Sequence, residues 1–426
     1  MSVQLARHAE PEHEPLLLRE LDEERVCLSR DEARFLLEEH RTHISLRPSF
    51  DGDDEWLVRP ATYCGIIPLP TGRAIYIEPK VGIANLWRML GWAYDLLKLS
   101  GDAPVPLTMA DLLESVVEVF VGQVGDLLRS GLLRGYVPER DNLTAMRGRL
   151  NVAGHIRANV AAKHRLLCDF DEFTSDVLEN RIIRRTLSLL LRVHAWSPRV
   201  RLPMDHHERR MAEARLQHID DRDFDDVHFT RLNERYRTPL ALARLLLQML
   251  SVTHRYGDRE MRPLLLGMPK VFERFLQRML AESMTAEGLT VRWEGESRHL
   301  DRGRSVSLVP DMVICDGPTP LCIADAKYKE TGWDPDDEQA ATSVRNADVY
   351  QMLAYCVGYG VNDAVLIYAE RTSHEIIEIP LDGRLIRVHS LGIDLTREGD
   401  DFASECERLS RDLVGVARST VAVPMP

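Results

Sequence analysis

No stretch approaches eighteen consecutive apolar residues, so no segment of this sequence reads as a membrane-spanning helix. The seven cysteines (Cys27, Cys64, Cys168, Cys315, Cys322, Cys356, Cys406) are odd in number and never form a C-x-x-C pair. That spacing argues against a disulfide framework or a cysteine-based zinc site and leaves most of them as small buried hydrophobes. A G-x-x-x-x-G-K-[ST] phosphate loop is missing, so the chain alone is expected to bind no nucleotide. His206, His207 and His218 lack any H-E-x-x-H or Cys/His company and read as surface histidines. The first fifteen residues lack the basic start and apolar core of an export signal, and the expectation is a cytoplasmic protein. Positive charge is scarce: 54 Lys and Arg against 67 Asp and Glu give −13, so the molecule as a whole should be repelled by nucleic acid and by anionic membrane.

What is present describes a folded protein. A chain of 426 residues allows two or three domains, and 44% hydrophobic with 28% charged residues excludes a disordered or fibrous class. The charge is segregated. Residues 129–215 carry 17 basic against 10 acidic residues, and residues 1–60 carry 8 against 15. A basic middle third suits DNA backbone, an acidic partner surface or ordinary solvated helix faces. Within it, Arg134, Arg140, Arg147 and Arg149 lie among glycines and a proline, where a loop could offer an arginine to a partner or to DNA.

The first 80 residues mix short β-like runs with one helix over 31–40. From Ile83 the period becomes helical, with Leu86, Leu90, Ala93, Leu96 and Leu97 on one face, and further helices are expected over 108–130, 172–193, 207–218 and 239–254. After a helix over 270–283 come β-like runs at 289–293, 305–315, 321–328, 364–369, 375–379 and 385–389, interrupted by one helix over 345–359. The order opens α-β-β-β-α-β-β, and after the last run an amphipathic helix over 401–417 follows.

Chemistry concentrates in this last part. In Ile323-Ala324-Asp325-Ala326-Lys327 the strand period projects Asp325 and Lys327 from one face. The turn at Asp316-Gly317-Pro318-Thr319-Pro320 would bring Asp311 beside them on a neighbouring strand. Both carboxylates sit in apolar surroundings, where an unpaired charge costs several kcal/mol. Two such carboxylates with the Ala326 carbonyl suit Mg²⁺, with Mn²⁺ as a substitute, and Lys327 suits a fixed positive charge for phosphodiester hydrolysis. Glu273 borders the apolar arc Val271, Phe272, Phe275, Leu276, Met279 and Leu280 and could reach the same metal, the alternative being a rim residue paired with an arginine. Gln351 and Tyr355 are four apart on a helix and share a face nearly opposite its apolar stripe, which suits support of Lys327, contact with DNA, or plain solvation.

The ordered set Phe272-Glu273, Pro310-Asp311, Asp325-Ala326-Lys327 and Gln351-x-x-x-Tyr355 resembles the PD-(D/E)xK nuclease superfamily. The forms Ala324-Asp325-Ala326-Lys327-Tyr328-Lys329 and Tyr350-Gln351-Met352-Leu353-Ala354-Tyr355 are similar to the McrC family, the nuclease subunit of McrBC modified-cytosine restriction systems. Ile77-Glu78-Pro79-Lys80, Arg147-Gly148-Arg149 and Glu179-Asn180-Arg181 also resemble that family, while Asp325 stands where the superfamily often has Glu. The resemblance implies a Mg²⁺-dependent DNA endonuclease that docks onto an McrB-like AAA+ GTPase oligomer, the GTPase recognising the modified cytosine. It also implies a multidomain α+β and α/β fold: an α+β partner-docking region over 1–165, a helical region over 166–260, a restriction-endonuclease-like α-β-β-β-α-β core over 261–400, and a terminal helix and tail over 401–426. Two alternatives stand beside it: an adaptor that mainly stimulates the GTPase, and a stand-alone RecB-like repair nuclease.

Overall fold

The computed structural model describes residues 15–419 apart from 50–53, 95–105, 161, 163, 194–195, 251–253, 257–258, 294–296, 329–345 and 382. Leu96, Leu97, Lys329 and Arg345 therefore lie outside the described residues. The described residues form two compact units, one from the stretch 113–263, the other from the stretches 15–112 and 264–419.

The N-terminal part of the second unit holds β1 (Leu16–Arg19), β2 (Glu24–Cys27), α1 (Arg30–Glu39), β3 (Ile44–Pro48), β4 (Glu55–Pro60), β5 (Tyr63–Pro68), β6 (Ala74–Glu78) and α2 (Ile83–Tyr94). Helix α1 starts where Ser29 and Glu32 reciprocally satisfy each other's backbone N–H groups, a capping box. Strands β2, β4 and β3 make one small sheet.

Helix α3 (Met109–Ser130) leads into the other unit, which contains β7 (Gly135–Leu143), β8 (Arg149–Leu150), α4 (Val152–Ala158), β9 (Leu166–Thr174), α5 (Leu178–Leu190), α6 (Pro198–Arg210), α7 (Asp221–Asp225), α8 (Arg237–Met249) and the β10 (His254–Tyr256)–β11 (Arg259–Met261) hairpin. Two expectations are corrected here. The arginine-rich segment is largely an antiparallel sheet in the order β7-β9-β8, which takes in Arg140 and Arg149 and leaves Arg134 and Arg147 just outside its strands; the helix expected from Glu172 begins at Leu178, with Phe173 still in β9. No residue of β7 is buried and only Cys168 of β9 is, so the sheet shows no apolar alternation for a period search to find. The structure also shifts the helix expected over 207–218 back to Pro198–Arg210. There Pro198 opens the first turn, a position that tolerates its missing N–H.

The chain then returns to the second unit with β12 (Leu264–Gly267), which pairs antiparallel with β5 and completes the sheet β1-β6-β5-β12. After it come α9 (Met268–Thr285), β13 (Thr290–Arg292), β14 (Arg298–His299), β15 (Ser307–Leu308), β16 (Met312–Asp316), β17 (Thr319–Lys327), α10 (Asn346–Tyr359), β18 (Asp363–Tyr368), β19 (Glu375–Leu381), β20 (Arg384–Gly392) and α11 (Asp400–Ser419). Six of these strands form a mixed sheet in the order β13-β16-β17-β18-β20-β19, with β17, β18 and β20 parallel. Helix α9 buries Val271, Phe272, Phe275, Leu276, Met279 and Leu280, each contributing roughly 1.5–3 kcal/mol over exposure. Helix α10 covers a cluster that includes Val313, Ile323, Leu366 and Val388. All cysteines are free, and all but Cys27 are buried.

Candidate active site

Strand parity decides what meets at the end of β17. Ile323 lies in the cluster under α10, and Asp325 and Lys327 follow it on the same face. Tyr328, of opposite parity, meets Phe272 of α9 with ring centroids 5.8 Å apart. Asp311 does not lie within a strand. The run expected over 305–315 is split into β15 and β16, and Val309-Pro310-Asp311 bridges the gap, because a proline has no N–H to give a ladder. Asp311 still arrives beside Asp325: its Oδ2 accepts from the Ala326 N–H at 2.8 Å.

The electrostatics of this pair are strained. Burial, then the neighbouring Asp325 charge, push the Asp311 carboxyl up to about 7. Burial also raises Asp325, against the pull of Lys327. Lys327 would be lowered by its own burial, but Asp325 and Asp348 outweigh this and hold the ammonium above its ordinary value. Lys327 Nζ stands 2.6 Å from Asp325 Oδ2 and favours the charged form of Asp325, and that charge in turn helps push the neighbouring Asp311 toward its protonated form.

Helix α10 supplies the support. Lys327 Nζ donates to Gln351 Oε1 at 2.9 Å, Gln351 Nε2 to Tyr355 Oη at 2.9 Å, and Tyr355 Oη to the Val309 carbonyl at 3.0 Å. This chain of hydrogen bonds ties the lysine to the backbone just before Asp311. Tyr355 is buried within the cluster under α10, which corrects the expectation that its face turns away from the apolar stripe.

Glu273 flanks the pair, and its charge adds to the upward pressure on both aspartates. Its carboxylate is engaged elsewhere, accepting from Lys270 Nζ at 2.8 and 2.9 Å and from Gln277 Nε2 at 3.1 Å. Among the described residues no three His, Cys, Asp or Glu side chains are gathered closely enough to hold an ion. Asp311 and Asp325 are the residues that could hold a cation. Two carboxylates with open positions fit a hard divalent ion that retains its waters, and their mutual repulsion is what such an ion relieves.

Three neighbours were missed in the sequence. Buried Gln277 also donates to the Asp311 carbonyl at 3.0 Å and so fixes both acids. Buried Asp348 places Oδ1 3.4 Å from Lys327 Nζ. Glu20, buried at the end of β1, accepts from Tyr328 Oη at 3.0 Å and from the Lys80 N–H at 3.3 Å, linking the N-terminal strands to the residue after Lys327. A helical stripe at 348, 351 and 355 could have revealed Asp348. Nothing local marks Glu20.

The four candidate arginines belong to the other unit: Arg140 lies in β7 and Arg149 in β8, Arg134 immediately precedes β7, and Arg147 lies in the connection between β7 and β8. Arg140 pairs with Asp169 at 2.5 Å, Arg147 with Glu172 at 3.0 Å, and Arg134 donates to the Phe173 carbonyl at 3.0 Å. Arg134 and Arg147 also stack on Phe173 and Phe170, 4.8 and 4.2 Å from the ring centroids. Arg149 sits in β8 opposite Asp169. Gly148 is required just before Arg149: its φ is +64°, and a Cβ there would collide with the Asp169 carbonyl oxygen.

The sequence matches, over residues 58–369, the family described as McrBC 5-methylcytosine restriction system component. The match covers well over half of the chain, which belongs to that family. It is 21% identical over 291 residues to the type IV methyl-directed restriction enzyme EcoKMcrBC of Escherichia coli K12, covering 65% of this chain and 81% of that one. The fold is similar to a chain in a Thermococcus gammatolerans assembly of McrB AAA+ hexamers with bound McrC, with a TM-score of 0.50 and 21% identity over 94% of this chain and all of the other. A second structure of that organism's McrBC complex matches at a TM-score of 0.42 and 23% identity, over 63% of this chain and 88% of the other.

Proposed function

We propose that this chain is the McrC-type subunit of a GTP-driven, modification-dependent restriction complex, that it cleaves DNA phosphodiester bonds, and that residues 261–400 form its PD-(D/E)xK nuclease core. The observation that carries the reading is the convergence of Asp311, Asp325 and Lys327 at one strand end, with the two carboxylates held in mutual repulsion. Mg²⁺, or Mn²⁺ in its place, supplies the positive charge and the acidified water that phosphodiester hydrolysis needs. Asp311 and Asp325 would hold it, with Glu273 available once Lys270 lets go. Lys327 keeps a proton in a site shielded from water and presents fixed positive charge to a phosphate as negative charge builds on it. Gln351 and Tyr355 hold Lys327 in register with the Asp311 segment.

The partner reading rests on family membership and on the likeness to a chain from an assembly of McrB hexamers with bound McrC. An AAA+ GTPase oligomer supplies GTP hydrolysis and recognition of the modified cytosine. The exposed arginines Arg134, Arg140, Arg147 and Arg149 offer the contact surface. The ion pairs Arg140–Asp169 and Arg147–Glu172 are of the exposed kind worth roughly 0–1 kcal/mol, so a partner carboxylate or a DNA phosphate can replace them. Among the described residues no helix is long and apolar enough to cross a membrane.

The test is co-purification with candidate GTPases, followed by Mg²⁺-dependent cleavage of methylated and unmethylated plasmid in the presence of GTP. Asp311→Ala, Asp325→Ala and Lys327→Ala are each expected to abolish cutting while the assembly forms as before. Undiminished cutting by the Asp325→Ala protein refutes the site.

A further inference from the structure

We infer that Asp348 is a positioning residue, the second counter-charge that keeps Lys327 in place when Asp325 turns to a cation. The inference rests on the nuclease reading of the site and deepens it.

The Lys327 ammonium has three N–H donors and, among the described residues, three acidic or polar neighbours: Asp325 Oδ2 at 2.6 Å, Gln351 Oε1 at 2.9 Å and Asp348 Oδ1 at 3.4 Å. The first belongs to β17, the other two to α10. Asp325 thus faces two competing demands, since a carboxylate that ligates a cation gives up much of its hold on an ammonium. Lys327 cannot turn to water instead, because its side chain is only 13% exposed. An ammonium left there without a carboxylate would be strongly destabilised. Asp348, 7% exposed, supplies that carboxylate from the opposite element. Asp348, Gln351 and Tyr355 fall at i, i+3 and i+7, one stripe of α10, so a single helix face carries the support of Lys327 that does not come from β17. When Asp325 turns away, two acceptors remain for three hydrogens, and the freed N–H is the one available to a substrate phosphate. Two other roles compete for Asp348: a third cation ligand, and a plain favourable charge in the first turn of α10.

The experiment pairs stability with rate. In EDTA, Asp348→Asn is expected to lower the melting temperature of the wild-type chain by a few degrees and to lower it by clearly less in a Lys327→Ala background, where the ammonium 3.4 Å from Asp348 Oδ1 is gone. A helix-terminus role predicts an equal loss in both backgrounds, and that result overturns the inference. In the assembled complex with GTP, Asp348→Asn is expected to slow single-turnover cleavage at least 10-fold with the Mg²⁺ half-saturation unchanged within about 2-fold, and Asp348→Glu to recover part of the rate. Wild-type cleavage by Asp348→Asn, or a half-saturation raised 10-fold as for a ligand, overturns it too. Failure of the nuclease reading shows separately, as a wild-type complex that does not cut or an Asp325→Ala complex that does.

Discussion

Replacing Asp311 by Asn should stabilise the metal-free protein at pH 8 and leave it nearly unchanged at pH 4. An ordinary aspartate loses its proton near pH 4, whereas in the folded chain burial and Asp325 hold the Asp311 proton to about pH 7. Between those values the folded state binds more protons than the unfolded state, so this group's contribution to stability falls as pH rises from about 4 to 7 and is level above. Three decades at 1.36 kcal/mol each would give about 4 kcal/mol. Part of the Asp311 side chain meets water, which trims the figure to roughly 2–4 kcal/mol. Asparagine removes the charge yet keeps an oxygen to accept the Ala326 N–H, so the backbone contact survives. For a unit of this size the gain corresponds to roughly 5–10 °C in melting temperature. Calorimetry of both proteins in EDTA at pH 4, 6 and 8 measures it, the difference growing with pH. Adding Mg²⁺ should then raise the wild-type melting temperature more than that of the variant, because only the wild type has the full carboxylate pair to gain from binding. A variant that melts at or below the wild type at pH 8 refutes the claim that Asp311 is under electrostatic strain.

Tyr355→Phe removes the donor to the Val309 carbonyl and the acceptor for Gln351, and should slow cleavage about 10-fold in single-turnover assays while lowering stability by roughly 1–2 kcal/mol. In the other unit, the fully buried Asn180 donates to the carbonyls of Leu133 and Ser175 and accepts from Tyr236 Oη. Asn180→Ala strands all three partners and should cost roughly 3–5 kcal/mol in denaturant unfolding. Gly148→Ala forces a side chain into a left-handed turn against the Asp169 carbonyl, and should speed amide exchange around β8 without altering the melting of the unit that holds Asp311.

How far the sequence could be read depended on whether the signal was local. Asp325 and Lys327 are two apart on a strand, and Gln351 and Tyr355 four apart on a helix, so backbone period alone makes each pair share a face. The apolar arc of α9 was legible for the same reason, because one side of that helix is buried and the other wet. The β7-β9-β8 sheet gave no such contrast: both its faces meet solvent, its charges pair across strands, and its glycines and proline look like loop punctuation. Asp311 falls outside the strand that its neighbours suggest, because a proline interrupts an otherwise strand-like run. Glu20 lies furthest from sequence reading. Its carboxylate meets Tyr328 only because β1 pairs parallel to β6 and the loop after β6 delivers the Lys80 N–H to the same oxygen. Burial raises the Glu20 carboxyl against those hydrogen bonds, a cost the chain accepts beside the residue that follows Lys327. Position along the chain therefore says little about which residues serve the site: the N-terminal strands, assigned from sequence to docking, supply a buried contact to the strand that carries Asp325 and Lys327.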